Sequence, residues 1–183
     1  MEIDMLKIIQ GDITKQTEFE AIVNAANSTL LGGGGVDGAI HRKAGPKLLE
    51  ECKTLNGCET GEAKMTDAYD LPSKKIIHTV GPIYYQEKEN AEELLSNCYR
   101  NCMLLAEEYL KTTGKEKVTI AFPCISTGIY AYPKEDACKV AVDTIKKINN
   151  ENINVIFTCF DDFDYNLYYD YLFGQEKEPQ NIK

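Results

Sequence analysis

Asp37 and His41 stand four residues apart, directly after four consecutive glycines (residues 32–35), in the stretch LLGGGGVDGAIH. On a helix this spacing places a carboxylate and an imidazole on one face. The first turn of a helix favours negative charge, so Asp37 is expected to have a depressed pKa and to act as an ionised base or water-positioner. His41 could orient Asp37 or donate to a ligand. The plainer alternative is a helix-start acid with an unrelated histidine nearby. The glycines allow backbone N–H groups to converge on an anion beside a helix N-terminus. STGIY (residues 126–130) is a second loop of the same physical kind. Two such loops suggest a diphosphate held between them; the alternative for each is a flexible turn. Neither is a Walker A loop, because no GK[ST] follows, and a GxGxxG reading of Gly33, Gly35 and Gly38 depends on the frame chosen.

Other polar groups fall at comparable points. Asp12, in GDIT, is placed to accept from an exocyclic amine such as that of adenine, or else to close a turn. Asn24 and Asn27 bracket two alanines, which permit close backbone approach, while amides suit ribose hydroxyls; an Asx turn is the alternative. Tyr130 and Tyr132 flank the second glycine loop, and one of them could stack on a ribose; Phe160 could stack on a base, with Asp161 beside it. His78, inside the apolar run IIHTV, reads as a satisfied core or sheet-end histidine rather than a catalyst.

Alternating strands and helices must position these groups. Strands are expected over 5–10, 19–26, 62–69, 75–80, 118–123 and 154–160. Helices are expected from Val36 or Asp37 to Lys43, from Lys47 to Lys53 after a break at Gly45-Pro46, over 89–111, over 134–149, and over 162–173. The alternation indicates an α/β fold with a largely parallel sheet covered on both faces, whose ligands bind beyond the carboxyl ends of strands. GDIT, NAAN and CISTGIYAYP each follow such a strand. One domain over residues 1–173 is expected, with 174–183 as a flexible tail.

The chain carries 29 acids against 20 Lys and Arg, for a net charge of −9. Its only arginines are Arg42 and Arg100. That balance argues against nucleic-acid binding through a basic face and leaves an anionic ligand to backbone N–H groups. Seven scattered cysteines without a CxxC pair, and two histidines in all, argue against structural zinc and for a reduced, cytoplasmic chain. The N-terminal residues lack the basic start and long apolar run of a signal peptide, and no membrane span is expected.

Taken together, GDIT, IVNAANSTLLGGGGVDGAIH, GEA, IIHTVGP and FPCISTGIYAYP resemble the macrodomain family, in its MacroD-type branch with bacterial O-acetyl-ADP-ribose deacetylases. The resemblance runs from about residue 5 to residue 172. It implies a three-layer α/β/α domain with a six-stranded mixed sheet that binds ADP-ribose at the strand ends. Residue by residue, Asp12 resembles the acid on the adenine amine, with the Ile13 backbone beside it, and Asn27 the amide near the distal ribose. Gly33, Gly34, Gly35 and Val36 resemble the first diphosphate loop. Ser126, Thr127, Gly128, Ile129 and Tyr130 resemble the second, and Phe160 the aromatic against adenine. Asp37 resembles the acid needed for hydrolysis, with His41 as its helical neighbour. The implied activity is metal-free, cofactor-free hydrolysis of esters on the distal ribose, in O-acetyl-ADP-ribose and in proteins mono-ADP-ribosylated on Asp or Glu. A non-catalytic ADP-ribose reader and an ADP-ribose 1″-phosphate phosphatase are the alternatives. A monomer is expected.

Overall fold

In the computed structural model, which describes residues 6–17, 19–148 and 150–174, one six-stranded sheet runs in the order β1-β6-β5-β2-β4-β3. The strands are β1 (Leu6–Gln10), β2 (Ala21–Ala26), β3 (Ala63–Asp67), β4 (Lys75–Val80), β5 (Val118–Phe122) and β6 (Ile153–Cys159). β3 pairs antiparallel with β4 at one edge, and every other pairing is parallel. The inner strands AIVNAA, VTIAF and INVIFTC are almost wholly buried, as expected of parallel strands covered on both faces. The helices are α1 (Gly35–Ala44), α2 (Pro46–Thr54), the single turn α3 (Tyr84–Glu87), α4 (Ala91–Thr113), α5 (Lys134–Ile148) and α6 (Asp162–Phe173).

Two cores form on the two faces of the sheet. Val23, Ile77, Ile120, Phe122, Val155 and Phe157 pack against α4, α5 and α6. Ile22, Ile76, Ala121 and Ile156 pack on the opposite side with Ile40, Ala44, Leu48 and Cys52 of α1 and α2. This is the expected three-layer α/β/α arrangement with a mixed six-stranded sheet.

Local chemistry explains the boundaries. Gly45, at φ 89°, separates α1 from α2, and Pro46 opens α2 where its missing N–H costs nothing. α4 runs to Thr113 and ends on left-handed Gly114, two residues beyond the expected Lys111. It also begins later than expected, because residues 84–90 form a helical turn and a 3₁₀ turn of their own. The expected tail lies, apart from Gly174, outside the described residues. All seven cysteines are free, and Cys98 and Cys102 are buried on α4. No helix among the described residues is long and apolar enough to cross a membrane.

One topological feature creates the site. β2 and β5 are neighbours, yet they are laddered only at Ala21↔Ile120 and Ile22↔Ala121. Beyond that point they diverge. The chain runs from β2 towards β4 and β3 on one side, and from β5 towards β6 on the other. A parallel sheet opens a crevice where its connections part in this way.

Candidate functional site

Because five strands are parallel, their carboxyl ends share one edge of the sheet. That edge brings together Asp12 after β1, Asn27 and the glycine run after β2, Gly81 after β4, residues 123–130 after β5, and Phe160 after β6.

The first loop winds from β2 into α1. Gly32 (φ 93°) and Gly35 (φ 57°) need left-handed backbone, which glycine adopts without Cβ strain. Among the described residues no amide from Gly32 to Asp37 donates a hydrogen bond; the first helical bond is from Gly38 N to Gly34 O, at 3.2 Å. The N–H groups of Gly35, Val36 and Asp37 are the unpaired donors of a helix start, at the positive end of its dipole. Val36 is half-buried and packs on the α1-side core. The second loop is closed by Tyr132 N to Ser126 O (2.9 Å) and Ala131 N to Gly128 O (3.0 Å). Ser126 takes φ 67°, and its buried hydroxyl has no partner among the described residues. Thr127 donates to Cys124 O at 3.2 Å. Gly128 is exposed, and Ile129 stands at the mouth, 87% exposed. Tyr130 is anchored through its carbonyl by Tyr84 N at 2.9 Å.

Asp37 sits in the first turn of α1 and is 4% exposed. Burial is the largest influence on its carboxyl and raises the pKa. The Asn24 hydrogen bond and the charge of His41 pull it down but do not compensate. The expected depression by the helix dipole is therefore corrected: desolvation wins, and Asp37 is a stronger base than an exposed aspartate. Its Oδ1 accepts from Asn24 Nδ2 at 2.9 Å, and His41 Nε2 lies 3.5 Å from the same oxygen, too far for a good hydrogen bond. The His41 ring packs beneath Gly32, where a Cβ would lie 3.6 Å from Cγ of the imidazole. A Cβ on Gly33 would lie 3.2 Å from Asp37 Oδ2 and 3.3 Å from Asn27 Nδ2. One spot above Gly33 is thus flanked by a free carboxylate oxygen and an amide donor. Tyr130 borders the same region, its phenol raised first by burial and then by the charge of Asp37.

Asn24 does not face a ligand, contrary to expectation. Its side chain is fully buried, with Nδ2 committed to Asp37 and to His78 Nδ1, at 3.1 Å. Strand periodicity decides this: residues 22, 24 and 26 point to the face covered by α1. Asn27 forms the Asx-type turn, its Oδ1 accepting from Thr29 N (3.1 Å) and Thr29 Oγ1 (2.6 Å) while Nδ2 donates to Gly32 O (3.0 Å). The second Nδ2 hydrogen stays free for the spot above Gly33. His78 is the buried core histidine expected, its pKa lowered to about 3 by burial with a smaller push from His41.

At the far end of the crevice, β1 and β6 are in register at Gln10↔Cys159, and Gly11 N donates to Cys159 O at 3.0 Å. Asp12 and Phe160 therefore end adjacent strands. Asp12 Oδ1 accepts from Thr14 N (2.9 Å) and Thr14 Oγ1 (2.6 Å), leaving Oδ2 available. Burial raises its pKa, but the Thr14 bonds, with Lys15 and Lys43, outweigh that and hold it below the usual range. The Ile13 side chain lies in the core, so only its backbone can border this end. Phe160 is 79% exposed, with a ring face open to solvent. Asp161 instead caps α6, accepting from Asp164 N at 2.8 Å.

Residues 23–141 match the Macro domain family. The chain belongs to that family. A Macro domain-containing protein of Methanosarcina mazei is 57% identical over 152 residues, covering 83% of this chain and 78% of that protein. Human ADP-ribose glycohydrolase MACROD2 is 49% identical over 170 residues, 90% of this chain but 38% of MACROD2. A mutant Oceanobacillus iheyensis macrodomain solved with ADPR superposes at TM-score 0.82 with 44% identity, covering 94% of each chain.

Two glycines of this macrodomain act at the site without any ligand-binding signature of their own. A Cβ on Gly38 would meet Gly33 O at 2.4 Å, so this glycine lets α1 press against the first loop. A Cβ on Gly81 would meet Ser126 Oγ at 2.1 Å, so the end of β4 seats the second loop. The runs VDGAIH and HTVGP carried this signal only as glycines beside apolar elements.

Proposed function

We propose that this macrodomain binds ADP-ribose and hydrolyses esters on its distal ribose, without a metal: it deacetylates O-acetyl-ADP-ribose and removes mono-ADP-ribose from Asp and Glu side chains of proteins. The observation that carries the reading is the buried Asp37 carboxyl, tied through Oδ1 to Asn24 while Oδ2 faces the spot above Gly33 between the two loops. The unpaired loop amides suit a diphosphate, in a chain with two arginines to spare. Asp12 and Phe160 suit an adenine at one end of the crevice, and the distal ribose is assigned to the other end, by Asp37. A water above Gly33 donates to Asp37 Oδ2 and accepts from the Asn27 amide. As its oxygen bonds to the acyl or the anomeric carbon, its proton passes to Asp37. Attack at the acyl carbon breaks the bond to the ribose oxygen, which leaves as the hydroxyl after taking up a proton, and attack at the anomeric carbon expels the carboxylate. The raised pKa makes Asp37 a better proton acceptor than an exposed aspartate. The name of human MACROD2, a glycohydrolase, and the ADPR in the Oceanobacillus structure support the same reading.

The test is a side-by-side time course with O-acetyl-ADP-ribose and a Glu-ADP-ribosylated protein. Acetate and free ADP-ribose should accumulate. Tight ADP-ribose binding with neither product would make the protein a reader instead. Prior treatment with a chelator should leave the rate within about twofold of the untreated enzyme, since no cluster of three His, Cys, Asp or Glu ligands occurs among the described residues and such clusters hold catalytic metals. Activity lost to chelator and restored by a cation would contradict the metal-free reading. Asp12→Ala should weaken ADP-ribose binding about tenfold, the worth of one hydrogen bond to a charged group, and blur the preference for adenine over hypoxanthine analogues. Calorimetry showing unchanged affinity would remove Asp12 from the adenine site.

A further inference from the structure

Behind Asn24 runs a buried polar chain that the hydrolytic reading leaves unused. Asn24 on β2 and His78 on β4 face each other in the parallel register. Thr66 on β3 lies diagonally beyond, since its register partner is Ile76. All three are buried, Asn24 and His78 completely. The directions of the bonds follow from the number of hydrogens available. Thr66 Oγ1 donates its single hydrogen to Asp67 O at 3.0 Å. It can then only accept from His78 Nε2, 2.9 Å away, so Nε2 carries the imidazole proton. His78 Nδ1 is left as an acceptor and takes one Asn24 Nδ2 hydrogen at 3.1 Å. The other hydrogen of that amide goes to Asp37 Oδ1 at 2.9 Å.

We infer that Thr66 and His78 are positioning residues for the hydrolysis: by fixing one tautomer of His78 they aim the Asn24 amide N–H, and through it the Asp37 carboxylate, at the site. The inference rests on the role given to Asp37 above. A second observation supports it. Asn24 Oδ1 is buried with no partner among the described residues, an unfavourable arrangement for an amide free to choose its orientation. The flipped amide would set that oxygen against the Asp37 carboxylate, acceptor against acceptor. His78 resists protonation, its pKa lowered to about 3 first by burial, so the chain holds one set of directions across the physiological range.

The titratable groups facing Asp37 are His41 on its own helix, Cys52 on α2, Tyr130 in the second loop, and His78 behind Asn24. Burial pushes the Cys52 thiol up to about 11 and raises the Tyr130 phenol, so both stay neutral. His41 remains in place in every variant of the test.

That test uses Thr66→Val, which keeps the shape and deletes the near acceptor of Nε2, leaving only the weak Cys52 Sγ at 4.0 Å, with Thr66→Ser as the conservative control. The protein has two histidines, so ¹⁵N imidazole spectra resolve His78 directly. The wild type should show neutral Nε2–H at His78 from pH 5 to 8. In Thr66→Val the Nδ1–H form should appear, and the ¹³C titration of the Asp37 carboxyl should move up by roughly half to one pH unit, because a carboxylate that loses a donor is less favoured. The acid limb of kcat should move the same way, with kcat at pH values below the wild-type midpoint down about three- to tenfold, the loss that follows when the midpoint rises by that much. KM and ADP-ribose affinity should hold within about twofold, and Thr66→Ser should restore both titration and rate. A charged or Nδ1–H His78 in the wild type would overturn the inference. So would an unmoved Asp37 titration in Thr66→Val, or a lower rate with an unmoved acid limb, which marks a merely structural role. If Thr66→Val fails to fold, Thr66→Ala and the wild-type tautomer decide. The spectra need no turnover, so absent hydrolysis would sink the functional reading while the positioning chain is still judged.

Discussion

Asp37→Asn lowers turnover of O-acetyl-ADP-ribose by about 10²- to 10⁴-fold, the usual worth of a positioned general base, and leaves ADP-ribose affinity within about threefold. The amide keeps the acceptor that Asn24 Nδ2 reaches, and it does not touch the loop amides proposed for the diphosphate. It cannot take a proton from water. The same substitution should raise Tm at pH 7. The folded-state pKa of Asp37 is raised, first by burial, so the protonated form is favoured in the fold. Its contribution is present in full below the unfolded pKa and is lost as pH rises through the folded value. At neutral pH the buried carboxylate is therefore a cost, and a neutral isostere relieves it, at about 2–4 °C per kcal/mol for a chain of this size. At pH 4 the difference in Tm should shrink. The wild-type rate should fall with acid through a midpoint above the ordinary aspartate range. Full turnover in Asp37→Asn, or a midpoint below that range, would remove Asp37 from the role assigned to it.

Gly38→Ala tests whether the glycine loop is set by α1 rather than by its own flexibility. Inside a helix, Gly to Ala ordinarily stabilises by about 0.8–1.0 kcal/mol. Here the added Cβ would lie 2.4 Å from Gly33 O and 2.9 Å from Arg42 Nη1. The arginine can move aside; the backbone carbonyl cannot without shifting the loop. Overpacking of this kind costs about 1–3 kcal/mol, so the clash outweighs the propensity gain and Tm falls. Function should suffer more than stability. The displaced carbonyl belongs to the residue above which Asp37 Oδ2 and Asn27 Nδ2 meet, so affinity and turnover fall together, each by about tenfold or more, since one hydrogen bond to a charged group is already worth that much. This joint loss contrasts with Asp37→Asn, where turnover alone collapses. A Gly38→Ala protein that is more stable and binds ADP-ribose normally would show that the loop does not depend on this contact.

The elements were legible in the sequence because their signals are local. Gly45-Pro46 broke the helices where expected, and the β-branched runs became buried strands. The placement of Asp12, Asn27, both loops and Phe160 on one edge followed from the parallel alternation. What could not be read was register and depth. Asn24 has the residue type of a ribose ligand, but the face it occupies is set by strand parity and by the helix above it. The Asp37 pKa turned on the same point: the dipole is visible from position in a helix, while desolvation depends on Asn24 and Tyr130 arriving from other segments. His78 was legible as a core residue, yet its link to Asp37 exists only through the β2–β4 register. Gly38 and Gly81 gave no sequence sign of their contacts, because a missing Cβ matters only once the neighbouring backbone is in place.

A structure of the Asp37→Asn protein with ADP-ribose tests the central claim most directly. The diphosphate should lie on the amides of residues 33–36 and 126–130, the adenine between Asp12 and Phe160, and the distal ribose above Gly33. Its C1″ hydroxyl, or a water beside it, should stand within about 2.6–3.2 Å of the residue 37 side chain. A distal ribose turned out to solvent, with side chain 37 out of reach, would contradict the account.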